Sequence, residues 1–61
     1  MNSHFVDPAR AYQMYRVLFF ERGLRGTVLK NEVVNLMKKA HERGAVREVA
    51  HWSYILEWLG L

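Results

Sequence analysis

The side chains in this chain that could do chemistry are three histidines (His4, His41, His51), Ser3, Ser53 and six carboxylates. Hydrolysis by a serine needs a base within hydrogen-bond reach and a third group to orient that base. Neither serine has such a set in view, and the carboxylates show no paired spacing. A zinc site needs four convergent nitrogen, sulfur or oxygen ligands. His41 and His51 fall on different predicted helices, and the chain has no cysteine. A chain of 61 residues also leaves little room for a substrate pocket. The expectation is a protein that is not an enzyme and holds no metal or cofactor. His41, at the edge of an apolar arc, is expected to be a half-buried core histidine.

The absence of disulfide or zinc staples puts weight on the apolar residues. A chain this short buries only about 60% of the surface its unfolded form exposes, yet 51% of it is hydrophobic and 13% aromatic. Self-association is the usual remedy for such a domain. The segment "MNSHFVDPAR" lacks the charged start and apolar run of a secretory signal. The longest apolar run, "VLFF", is four residues, against the roughly 20 needed to span a bilayer. A cytoplasmic protein without a membrane partner is expected, and its start at Met1 suggests a complete product.

Three helices follow from punctuation and period, in a single domain over 1–61. Asp7 is a candidate N-cap with Pro8 at the first helical position, and Gly23 is placed for a left-handed C-cap followed by Leu24. Helix 1 is predicted over about 8–22. The second helix is predicted over about 28–43, capped by Thr27 or Asn31 and stopped at Gly44. The third runs from about 45 to 59, where Gly60 and Leu61 repeat the glycine–leucine ending of helix 1. No stretch alternates with period 2. The fold class is all-α: a small three-helix bundle, completed by oligomerisation.

Stepping 100° per residue shows where apolar surface exceeds the need of one core. Helix 2 is one-sided: Leu29, Val33, Val34, Leu36, Met37 and Ala40 oppose a polar face. Helix 1 has a core stripe of Ala11, Tyr12, Met14, Tyr15, Leu18 and Phe19, but Val17 and Phe20 fall opposite it, beside Arg16. Helix 3 has a seam of Ala45, Val49, Trp52, Leu56 and Leu59, with Ile55 beside it. A second line, Arg47, His51, Tyr54 and Trp58, points away. Trp, Tyr and Arg dominate binding hot spots because they combine large rigid area with a polar handle. Arg16, Val17, Phe20, Arg47, His51, Tyr54 and Trp58 are therefore the candidate protein interface. The expected role is that of a small regulator or adaptor that homodimerises and binds another protein.

The alternative is a basic nucleic-acid-binding regulator. Net charge is +3; residues 1–44 hold eight Lys/Arg against four Asp/Glu, and residues 45–61 one against two. "KKAHERGAVREV" spaces Ala40 and Gly44 as a helix-turn-helix would, although Lys39 and Arg43 stand where that motif wants apolar residues. Arg22, Arg25, Lys30, Lys38, Lys39 and Arg43 would then contact phosphates.

Overall fold

The computed structural model describes residues 6–60 and holds three helices: α1, Pro8–Arg16, prolonged by a π-helical turn, Val17–Glu21; α2, Gly26–Glu42; and α3, Val46–Trp58. Among the described residues there is no strand. Ser3 and Leu61 lie outside them. Among the described residues no helix is long and apolar enough to cross a membrane.

The start of α1 matches the sequence expectation. Asp7 sits in extended backbone, and its Oδ1 accepts the Ala9 N–H at 3.0 Å while its carbonyl accepts from Ala11 at 2.9 Å. Pro8 occupies the first turn, where its missing N–H costs nothing. The end departs from it. Instead of one α-helix over 8–22, the last turn widens, so that Arg22 donates to Val17 at 3.0 Å and Leu24 reaches back to Leu18 at 2.9 Å. The widened turn buries Leu18 to 2% exposure and leaves Phe19 stacked on Tyr15. Arg25 folds back over the exit. Its guanidinium lies 3.6 Å from the Phe19 ring centroid and donates to the carbonyls of Phe19 and Leu24. A cation there takes up carbonyls left without helical partners and meets the negative end of the helix dipole.

Neither Thr27 nor Asn31 caps α2. The helix starts at Gly26, so its N-cap is Arg25, two residues before Thr27, and Arg25 makes no side-chain cap bond. Gly26 has φ +56°, a left-handed value that a side chain strongly disfavours. That reversal lets the Leu29 N–H find the Arg25 carbonyl at 3.2 Å. At the other end Gly44, φ +73°, closes a Schellman turn: its N–H bonds the His41 carbonyl at 3.0 Å, and the Ala45 N–H bonds that of Ala40 at 2.9 Å. Ala45 is therefore the N-cap of α3 rather than its first residue.

The core is small. Ala11 and Leu18 from α1, Leu29, Val33 and Ala40 from α2, and Trp52 and Ile55 from α3 are buried. Ile55 and Val33 are the largest side chains without any exposure, so Ile55 is at the centre of the bundle, not beside a seam. The reason is the position of α3, which packs along α2 and also receives α1. A helix with two neighbours buries a wider arc than one stripe.

That wider arc also takes in His51, which is 3% exposed and leaves the predicted surface line. Its Nε2 accepts the backbone N–H of Asp7 at 3.1 Å, and its Nδ1 lies 2.6 Å from the Arg47 carbonyl. An amide can only donate and a carbonyl can only accept. These partners make Nδ1 the donor and Nε2 the acceptor. The expectation for the two histidines was reversed: His41 is exposed, whereas Ala45, just past the Gly44 turn, packs against the core.

Candidate interaction surface

Six aromatic rings from α1 and α3 form one connected group. Tyr54 meets Trp58 at 5.2 Å between centroids, and Trp58 meets Tyr15 at 6.0 Å and Tyr12 at 6.4 Å. Tyr12 continues to Tyr15 at 6.1 Å, Tyr15 to Phe19 at 5.2 Å, and Phe19 to Phe20 at 5.0 Å. All fall within the range of favourable aromatic pairs, each adding about 0.5–1.5 kcal/mol beyond its area. Tyr15, Phe19 and Tyr54 rest on the core. Tyr12 (48%), Phe20 (59%) and Trp58 (42%) remain largely exposed. Tyr12 was expected in the core stripe; it is instead exposed beside Trp58, while Ala11 and Leu18 of the same helix are buried.

Arg16 stands between two of the exposed rings, 5.9 Å from the Tyr12 centroid and 5.7 Å from that of Phe20. The spacing Tyr12–Arg16–Phe20 is i, i+4, i+8, one ridge on α1. On its far side Gln13, Arg16, Val17, Phe20 and Glu21 line a shallow hollow of about 300 Å³. Nearer α3, Tyr12, Tyr15, Trp58 and Leu59 line another of about 410 Å³.

The predicted interface is thus brought together in part. Arg16, Val17, Phe20, Tyr54 and Trp58 belong to this surface. His51 does not, being buried. Arg47 is exposed but makes no cation–π contact with any ring of the group among the described residues. The sequence reading missed Tyr12, Tyr15, Phe19 and Arg25 as members.

The alternative phosphate contacts are dispersed. Arg22 pairs with Glu32 at 2.9 Å, Arg43 with Glu48 at 2.7 Å, and Arg25 is engaged over Phe19. Lys30, Lys38 and Lys39 are exposed and make no ion pair among the described residues. Lys30 borders a hollow with Gly26, Thr27, Leu29 and Leu59, whereas Lys38 borders one with Met37, His41, Glu42 and Val49.

Comparison of the chain with protein-family models, with curated proteins and with solved structures found no match to any of the three.

Proposed function

We propose that this protein is a small non-enzymatic interaction module of the cytoplasm, a regulator or adaptor that self-associates and binds another protein through the aromatic surface of α1 and α3. One observation carries the reading: Tyr12, Phe20 and Trp58 are exposed together, joined ring to ring, with the Arg16 guanidinium between two of them. Connected exposed aromatics with arginine have the composition of binding hot spots, whereas isolated exposed apolar residues are ordinary. The π-helical turn supports it as well, since such turns occur often at functional sites.

The ridge at that turn suits a second copy of the chain. Arg16 and Glu21 flank Val17 and Phe20 around one hollow. Two such ridges, laid antiparallel about a two-fold axis, would set Val17 of each copy against Phe20 of the other and Arg16 against Glu21. An interface of this self-complementary kind is what a symmetric dimer requires. The test is solution mass over a dilution series, by sedimentation or light scattering. Wild type is expected to be a dimer that dissociates on dilution, and Phe20→Glu a folded monomer. A wild type that stays monomeric at the highest soluble concentration, and a ring surface that captures no protein, would together overturn the reading.

The nucleic-acid reading has one observation in its favour: Lys30, Lys38 and Lys39 are exposed and make no ion pair among the described residues. Three point charges on two sides of one helix give less than the continuous basic stripe such binding uses.

A further inference from the structure

The buried ring of His51 is a joint between two helices, and both of its nitrogens are engaged. Nε2 accepts the Asp7 N–H at 3.1 Å, and Nδ1 donates to the Arg47 carbonyl at 2.6 Å. A second proton has one place to go, Nε2, and a doubly protonated imidazole donates from both nitrogens and accepts at neither. There it meets the Asp7 N–H, donor against donor. The bond between the start of α1 and the middle of α3 is lost. That bond matters because α1 and its π-helical turn each bury a single side chain, Ala11 and Leu18.

The surroundings do not compensate. α1 presents its N-terminus to the ring, the positive end of the helix dipole, where a cation is disfavoured. Arg10, three residues past Asp7, and Arg47, one turn back along α3, are exposed and of like sign. Glu48 of α3 is paired with Arg43 at 2.7 Å. From α2, Leu29, Val33 and Ala40 face the core. Its Glu32 is paired with Arg22 at 2.9 Å, and Lys30, Lys38, Lys39, His41 and Glu42 are exposed. The Asp7 carboxylate belongs to the bonded residue itself, but its Oδ1 holds the Ala9 N–H at 3.0 Å. To meet a protonated Nε2 it must let that N–H go. By either route the cap of α1 comes undone.

We propose that His51 is an acid-sensitive latch: protonation at Nε2 releases the start of α1 from α3 and loosens the ridge through which two copies of the chain associate. The docked state excludes a proton that the released state takes up. By linkage the latch therefore holds at higher pH and opens as pH falls. Its effect on assembly rests on the self-association reading above; its effect on α1 does not.

The experiment follows two quantities from about pH 8 to about pH 5, the range in which histidine gains charge. One is the dimer dissociation constant by sedimentation, the other the protection factors of the α1 amides by hydrogen exchange. Wild type is compared with His51→Gln, which keeps a donor and an acceptor but takes up no proton. A second comparison is His4→Gln with His41→Gln, which leaves His51 as the sole histidine. In acid, wild type and the double variant should lose α1 protection before that of α2 and α3, and their dissociation constants should rise about tenfold or more. His51→Gln should hold both quantities nearly level. A wild type unchanged over this range, or a His51→Gln that follows it, overturns the latch. Loss of α1 protection in a wild type that never dimerises sustains the latch and overturns the dimer reading instead. Should His51→Gln fail to fold, the ring nitrogen resonances of the double variant decide. Protonation of Nε2 in step with opening of the Asp7 amide is expected, and a protonated ring beside a still-protected Asp7 amide overturns the proposal.

Discussion

The backbone N–H of Asp7 donates to Nε2 of His51 across 44 positions of sequence, joining the cap of α1 to the middle of α3. The same histidine holds the Arg47 carbonyl through Nδ1, so one buried ring satisfies two backbone groups. His51→Ala would leave both without that partner and open a void beneath α1. An unsatisfied buried group costs about 1–3 kcal/mol, and the cavity adds to it. Chemical denaturation should show a loss of roughly 2–4 kcal/mol, while His51→Gln, which keeps an acceptor and a donor, should retain part of it. Equal losses in the two variants would mean that the ring's volume matters and its hydrogen bonds do not.

Ile55 sits with Val33 at zero exposure, whereas Val28 and Val46 are 62% and 77% exposed. Ile55→Ala should cost about 2–5 kcal/mol, enough to unfold much of so small a domain. Val28→Ala and Val46→Ala should each stay within about 0.5 kcal/mol of wild type. Thermal melts followed by circular dichroism at one protein concentration separate these cases.

The antiparallel pairing of α1 ridges makes a charge-reversal prediction. Arg16→Glu alone and Glu21→Arg alone should each weaken self-association, because like charges then face each other. The double variant should recover most of it. Additive losses in the double variant, measured by sedimentation equilibrium, would place the seam elsewhere.

Arg25 joins a close cation–π contact to a helix-end cap. Arg25→Ala removes about 0.5–1 kcal/mol for the first and about 0.3–1 kcal/mol for the second. The expected total is near 1–2 kcal/mol in urea unfolding. Arg25→Lys, which keeps the charge but loses the planar fork, should fall between wild type and alanine.

Lys38→Glu with Lys39→Glu distinguishes the two functional readings. Both positions are exposed and make no ion pair among the described residues, so the fold and the dimer should persist. A gel-shift series in which wild type retains DNA at physiological salt and the double variant does not would favour the phosphate reading.

Much of the architecture could be read from local signals. Asp7–Pro8 opens α1, Gly23 and Gly44 end the first two helices with positive φ, and the one-sided face of α2 appears as drawn. What could not be read depends on how many neighbours each helix has. A helical wheel assigns one buried stripe, but α3 lies against two helices and therefore buries His51 and Ile55 along with Trp52. The π-helical turn was hidden for another reason: Val17 to Glu21 are all acceptable in an α-helix, so nothing local marks the extra residue. Tyr12 was misplaced for want of the same information, since the wheel ranks it by hydrophobicity and the bundle by room beside α3.

The Schellman turn at Gly44 brings α2 and α3 together over a short loop, while α1 reaches the rest chiefly through α3. The hairpin of α2 and α3 closes early at little entropic cost, and α1 must be recruited from far along the chain. Native-state hydrogen exchange should find the amides of α1 opening at lower free energy than those of the hairpin. Because α1 carries the proposed dimer ridge, its protection should also climb with protein concentration while that of the hairpin stays level. Assembly would then be the step that finishes the fold.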